Sequence, residues 1–255
     1  AAEFLNRVYT NAWMKLPVGK ARYGLMLRED GIVMDDGTTT RISENHYHMT
    51  TTTAQAANVL SHLEYYLQIV WPELNVNVVS TTEQWAGAAI AGPKSRDMLS
   101  KLYPDLDVSN DALPFMGYKE AEFFGVPSRI FRISFSGELA YEINVKSDHG
   151  MFMWEKMMEV GKEFGNQPYG TEALSTLRIE MGHVAGPELD GRTIPSDVSL
   201  NGLVSKKKDF IGKNSLGREA FNVESRQKIV GLIPIDRKSS IPEGSHIVQD
   251  QNAKL

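Results

Sequence analysis

Two extended apolar runs on either side of an acidic Asp-Gly turn constrain this chain more than any other feature. Ala21 to Leu27 and Ile32 to Ile42 flank Arg28-Glu29-Asp30-Gly31, and runs so placed fold back on each other as a hairpin. Ala54, Ala57, Leu60, Leu63 and Leu67 then recur at intervals of three and four, the period of an amphipathic helix laid on a sheet. Val76 to Ser80 reads as a strand, and Ala86 to Ala91 leads into Gly92-Pro93, a pair that ends one element and starts the next, a helix over Ser95 to Leu102. The order then recurs. Arg129 to Ser134 and Tyr141 to Val145 flank Phe135-Ser136-Gly137-Glu138 as a second hairpin-like unit, and helices follow over His149 to Phe164 and Thr171 to Met181. Thr171 is the N-cap candidate of the last helix, with Glu172 suited to the positive end of its dipole. Strand–strand–helix–strand, twice, without the steady alternation of parallel βαβ units, predicts an α+β fold.

Beyond Arg226, Lys228 to Pro234 and His246 to Val248 look like strands of a smaller all-β unit, which divides the chain into residues 1–215 and 216–255. The element around Asn6 to Leu16 has no visible beginning and the last unit stops abruptly, so both ends read as cut from a longer chain. The apolar share of 42% and charged share of 23% are those of an ordinary globular protein. No apolar run approaches the roughly 20 residues a membrane helix needs, which makes the cytoplasm the default location and a membrane partner unexpected. The absence of cysteine excludes disulfides, thiolate metal sites and a cysteine nucleophile together. A net charge of -5, with Lys206 to Lys208 as the only basic run, argues against a nucleic-acid partner.

Three constellations can carry chemistry. Asp35-Asp36 ends an apolar strand segment, where successive side chains take opposite faces, so one acid should turn inward and need a partner. Read alone, an exposed acidic turn is the commoner outcome for such a pair. Gly137-Glu138 places a carboxylate on a tight turn between strands, where it is either solvated or able to accept two parallel hydrogen bonds from an amino-pyrimidine edge. Arg178 shares a helix face with Leu174, Leu177 and Met181, so its guanidinium needs a buried carboxylate or a ligand, unless its stem snorkels to water; a structural ion pair is the commoner outcome. His46 and His48 alternate along a strand, but no third metal ligand is near in sequence and no metal site is expected. No phosphate-cradling glycine loop is present, so flavin and nucleotide binding are not expected of this chain through such loops.

Arg28-Glu29-Asp30-Gly31 through Asp35-Asp36, Phe135-Ser136-Gly137-Glu138-Leu139-Ala140-Tyr141-Glu142, Thr176-Leu177-Arg178-Ile179-Glu180 and Lys208-Asp209-Phe210-Ile211-Gly212-Lys213 occur in the order seen in the glycine-cleavage T-protein, or aminomethyltransferase, family. The blocks Gly19 to Gly31, Thr81-Thr82-Glu83-Gln84-Trp85-Ala86 and Arg132 to Glu142 resemble the sarcosine oxidase α-subunit branch. The resemblance implies an aminomethyltransferase fold, with ferredoxin-like α/β domains around a central folate channel and a C-terminal β-barrel of which this chain holds only the start. It implies an enzyme whose cofactor is tetrahydrofolate and whose other partners are a small amine-derived substrate and further subunits of a sarcosine oxidase-like complex, with flavin and NAD held elsewhere. By the same resemblance Asp36 is the acid at the reaction centre, and Tyr23 lines the pterin pocket. Glu138 holds the pterin ring, Phe131 stands where relatives often have tyrosine, and Thr38 and Thr40 line the pocket by backbone. Arg178 matches an arginine that serves folate or supports the site. The reaction implied is capture of the one-carbon unit of sarcosine-type oxidation as 5,10-methylenetetrahydrofolate. A glycine-cleavage aminomethyltransferase acting on a lipoyl-bound group, and a non-catalytic folate-binding or assembly module, are the alternatives.

Overall fold

The computed structural model describes residues 1–242, 244–246 and 248. Helix α1 (Ala2–Val8) opens the chain and turns Phe4, Leu5 and Val8 inward. The expected first hairpin follows as β1 (Lys20–Leu27) and β2 (Val33–Arg41), antiparallel, with the short β3 (Tyr47–Met49) on the outer side of β2. Tyr9 bridges Met26 on the opposite edge of β1, so the segment after α1 closes that side of the sheet. Helix α2 (Ala56–Tyr65) covers it. Its buried residues are Val59 and Leu63, with Tyr66 just beyond; Ala54 and Ala57, assigned to the inner face by periodicity, are exposed. Val59, Leu63 and Tyr66 pack with Phe4, Val8, Tyr9, Trp13 and Met26 as one core.

The second sheet has the order β4-β7-β6-β5, all neighbours antiparallel: β4 (Trp85–Ala91), β5 (Tyr118–Phe123), β6 (Val126–Phe131) and β7 (Ala140–Lys146). Helices α3 (Ser95–Leu102) and α4 (Gly150–Gly161) bury one face of it, where Ile90, Leu99, Leu102, Ile130, Tyr141, Ile143, Val145, Met153 and Met157 form the other main core. The backbone joins the two sheets: the Tyr118 amide donates to Gly19 O at 2.9 Å and the Ala21 amide to Met116 O at 2.7 Å. Helix α5 (Thr171–Met181) has the expected span. Its N-cap is Gly170, not Thr171, and no side chain caps it, so Thr171 lies one residue too far inside to serve.

Several expected elements differ. Val76 to Ser80 forms no strand; Val76 and Val78 pack on the α1 core while Val79 is exposed, so the alternation reflects packing of an extended segment without a strand partner. Lys228 to Pro234 likewise forms no strand; the Ile229 amide donates to Asp197 O at 2.7 Å, a single backbone contact to an irregular segment and not a sheet ladder. His246 to Val248 falls partly outside the described residues. The element expected around Asn6 to Leu16 is helical only at its start, as α1, which ends at Val8, and β5 was not expected; β5 carries Lys119, Glu120 and Glu122 on an edge, a polar pattern that does not look like a strand.

Candidate functional site

The β1–β2 register sets the first half of the site. Tyr23 faces Thr38, Leu25 faces Asp36 and Met26 faces Asp35, and opposed residues share a face, so the two adjacent acids point to opposite sides. Asp35 turns inward and is 1% exposed. Its Oδ2 accepts the Thr52 amide at 3.1 Å. Gly37 makes this possible, since a Cβ there would stand 2.1 Å from Thr50 O and push residues 50–52 off the sheet. Asp36 is half-buried on the other face, where its Oδ2 accepts the Tyr23 hydroxyl at 2.6 Å. Burial pushes both carboxyls above the ordinary range, and at Asp36 the Tyr23 hydrogen bond opposes the rise. Burial and the nearby Asp36 charge raise Tyr23, which keeps its proton and stays a donor.

Thr38 and Thr40 lie on the Asp36 face. The Thr38 amide and hydroxyl both engage the Thr50 hydroxyl, at 3.1 Å and 3.0 Å. Thr40 is buried opposite His48 of β3. The His48 ring lies 5.6 Å from the ring of Phe131, which also packs on Tyr118 at 5.0 Å. Burial is the main cause that lowers the His48 pKa to about 4, with the Arg129 charge adding to it. At this corner the Asp36 face of the first sheet meets the uncovered face of the second.

The second half starts from Phe131, which sits directly opposite Glu142 in the β6–β7 register. Glu142 is half-buried, and desolvation alone pushes its carboxyl upward. Glu138, the acid singled out in the sequence, is exposed in the turn before β7, where its amide donates to the Ser136 hydroxyl at 3.4 Å. Gly137 (φ 84°) shapes that turn, and a Cβ there would collide with Met181 of α5. The turn is therefore docked on α5. Nearby, Phe135 stacks on His183, whose Nδ1 is 2.9 Å from Phe135 O.

Arg178 is the one buried residue of α5. Its Nη1 donates to Glu188 Oε2 at 2.7 Å and to His183 O at 3.2 Å, and the Ala185 amide donates to the same Glu188 oxygen at 2.8 Å. This is the structural ion pair left open by the sequence. Tyr23, Asp36 and Thr38 are thus brought together and lead through Thr40 and His48 to Phe131. Glu138 and Arg178 form a separate group linked through Met181 and His183, and no hydrogen bond or ion pair among the described residues joins either to Asp36. The sequence reading passed over Glu142 as a site residue; its signal was alternation, which puts it on the face of a strand instead of in the turn.

The face around Asp36 and Tyr23 supplies a carboxylate of raised basicity with a fixed hydroxyl donor. The face around Phe131 and Glu142 supplies a flat ring beside an acid. Together they suit a planar heterocycle bearing amino groups.

Comparison with known proteins adds to this geometry. Residues 1–208 match the GCVT N-terminal domain family. The chain is 53% identical to the sarcosine oxidase α subunit of Rhizobium meliloti (strain 1021), over 97% of this chain and 25% of that protein. It is 49% identical to the α subunit from Corynebacterium sp. (strain P-1), over 98% and 26%. It therefore spans about a quarter of the length of these relatives. It is also 32% identical to an aminomethyltransferase of Chloroherpeton thalassium (strain ATCC 35110 / GB-78), over 98% of this chain and 67% of that protein. The crystal structure of the glycine cleavage system aminomethyltransferase T from Bartonella henselae superposes with a TM-score of 0.69, covering 84% of this chain and 56% of that one at 23% identity, which shows a shared fold. The chain is a member of the GCVT aminomethyltransferase family, related to the sarcosine oxidase α subunit.

Proposed function

We propose that this chain is the tetrahydrofolate-dependent one-carbon transferase portion of a sarcosine oxidase-like enzyme, taking up the iminium or formaldehyde unit of amine oxidation as 5,10-methylenetetrahydrofolate. The observation that carries the reading is the Tyr23–Asp36 pair, a half-buried carboxylate of raised pKa with one oxygen fixed by a hydroxyl at 2.6 Å, in a chain of this family. Bound tetrahydrofolate would supply the two amine nucleophiles that take up the carbon, with the amine leaving from the iminium, or water from formaldehyde, as the second nitrogen bonds. Asp36 accepts the proton released as the nitrogen attacks and stabilises positive charge near it; a raised pKa suits a general base working near neutral pH. Tyr23 holds the carboxylate in one orientation. Phe131 offers a ring for stacking, Thr38 and Thr40 line the pocket on the Asp36 face, and Glu138 or Glu142 accepts the paired donors of the amino-pyrimidine edge. Burial favours Glu142 for that role, because a carboxylate removed from water gains more from paired N–H donors than one in solvent. Arg178 acts on the site through α5, which anchors the turn bearing Glu138. In this reading flavin and NAD belong to other parts of the parent enzyme, further subunits assemble around the chain in the cytoplasm, and residues 216–255 begin a β-barrel unit.

Calorimetric titration of the chain with tetrahydrofolate tests the reading. Saturable one-to-one binding, weakened by Phe131→Ala, supports it, and no binding at millimolar ligand rejects it. The aminomethyltransferase relative, matched along nearly the whole chain, favours one second reading, transfer from an aminomethyl-lipoyl carrier. Release of ammonia from such a carrier on adding the chain and tetrahydrofolate would select it.

A further inference from the structure

The face of the second sheet that α3 and α4 cover ends in two arginines with no acid between them. Ile130 of β6 stands opposite Ile143 of β7 on that face, so alternation places Arg132 beside Tyr141, one row further along. The Arg132 backbone continues the β5–β6 ladder: its amide donates to Gly117 O and its carbonyl accepts the Met116 amide, each at 2.9 Å. Arg96, in the first turn of α3, comes to the same ring, its guanidinium 5.8 Å from the centre of Tyr141. The two guanidiniums meet at one exposed, neutral group. Arg96 Nη2 donates to Asn110 Oδ1 at 2.7 Å, and Arg132 Nη1 donates to the same oxygen at 2.8 Å.

A carboxamide neutralises neither charge. Arg96 also donates to Val108 O and Arg132 to Leu113 O, and among the described residues these are their remaining hydrogen-bond partners. The acids of the same loop stay out of reach: Asp107 accepts the Ser109 amide at 2.9 Å, and neither it nor Asp111 pairs with either arginine. Two donors of the cluster are left over inside. Arg132 Nε and the Tyr141 hydroxyl are buried without a partner among the described residues, and Tyr141 is 0% exposed. Burial raises the Tyr141 hydroxyl while both arginine charges oppose the rise, so it keeps its proton and stays a donor close to both. Adjacent cations repel and buried donors without acceptors are costly, and a single anion would relieve both. Forked guanidiniums and a hydroxyl around one point suit a tetrahedral oxyanion, which accepts from several directions, better than a planar carboxylate.

We propose that Arg96, Arg132 and Tyr141 bind a phosphate-class oxyanion at this corner, Asn110 Oδ1 standing where one of its oxygens sits. Met116 O also accepts the Ala21 amide, so the bound anion braces the joint between the two sheets. The site is independent of the folate reading. Thermal melts of the chain in inorganic phosphate, against acetate and chloride at matched ionic strength, test it. At phosphate ten times its Kd the parent should melt about 3–5 °C higher, a saturating effect that acetate does not reproduce. Asn110→Asp sets a carboxylate between the guanidiniums at an exposed position without changing volume. It should melt higher than the parent in chloride and lose the phosphate response, with calorimetry giving a phosphate Kd at least about tenfold weaker. Arg96→Met should lose the response as well. A parent with no phosphate-specific shift, or one whose shift is matched by Asn110→Asp, overturns the site and leaves the arginines as braces of the loop alone.

Discussion

The two acid pairs of this chain, Asp35 with Asp36 in β2 and Glu138 with Glu142 around the start of β7, are sorted by different rules. In β2 the acids are adjacent, so pleating sends them to opposite faces, and the more buried one is the structural one: Asp35 is committed to the Thr52 amide while Asp36 meets Tyr23. Around β7 the acids are four residues apart and differ in kind of backbone, Glu138 in a turn and Glu142 in a strand, so one is in solvent and the other on the Phe131 face. Depth alone therefore does not mark a site. The useful carboxylate is one that is partly desolvated and retains acceptor capacity on an uncovered face.

Asp36→Ala breaks the comparison most sharply. In the complete assembly it should leave amine oxidation near parental levels while lowering methylenetetrahydrofolate formation by about 10²–10⁴, with formaldehyde released instead. Asp35→Ala should do the reverse: transfer at saturating folate stays within a few-fold, while the melting temperature drops because the Thr52 amide loses its acceptor, a cost of roughly 1–3 kcal/mol. Equal partition of the one-carbon unit in both variants would remove Asp36 from the chemistry. Arg178→Met comes next. It leaves Glu188 half-buried with only the Ala185 amide, which should cost about 3 kcal/mol of stability by denaturant melts. The double variant with Glu188→Leu should recover most of it. If no recovery follows, the pair is not what holds α5 against the Glu138 turn.

A third effect is read in pH. Burial holds His48 neutral with a pKa of about 4, below its ordinary value, so protonation opposes folding and stability falls as pH drops from about 6.5 to 4. Burial raises the carboxyls of Asp35, Asp36 and Glu142, which therefore act in the opposite sense, adding stability as pH falls through their raised pKa values. His48→Leu, which removes only the opposing member, should make the variant more stable relative to the parent by roughly 2–3 kcal/mol at pH 4 than at pH 7. A pH-independent difference would mean that His48 is open to water and that the two sheet faces do not close at Phe131.

Much of this was legible in the residues. The Asp-Gly turn fixed the first hairpin, Gly92-Pro93 the boundary between β4 and α3, and alternation the separation of Asp35 from Asp36. The inward phase of Arg178 was legible too, but its partner was not, because Glu188 lies in the irregular segment beyond α5 and no periodicity points to it. The strand expected at Val76 to Ser80 failed because pairing depends on a neighbour, which local pattern does not reveal. Glu142 was overlooked for a related reason. A glycine-acid turn draws attention as a local motif, whereas the value of Glu142 depends on Phe131 of β6 standing opposite it, a contact set by register.

The smallest expected effect decides the second acid pair, since the turn and strand readings make opposite forecasts for it. If the pterin edge is held on the sheet face, Glu142→Gln should weaken tetrahydrofolate binding by about 10- to 100-fold, the roughly 1.5–3 kcal/mol of a charge-assisted pair, while Glu138→Gln changes it by less than about twofold. The amide substitution preserves volume, so loss of packing against Phe131 does not enter. Glu142 also carries a signature that Glu138 lacks. Desolvation raises its pKa, and donors on the ligand favour the ionised form, so binding should release a proton from Glu142 near the raised pKa; the measured enthalpy should then vary with the ionisation enthalpy of the buffer, and this dependence should diminish in Glu142→Gln. If instead Glu138→Gln carries the loss and the proton release is unaltered in Glu142→Gln, the turn must fold inward over the ligand, with Gly137 and Met181 as its hinge and anchor, and the ordering of the two acids by burial fails in the bound state.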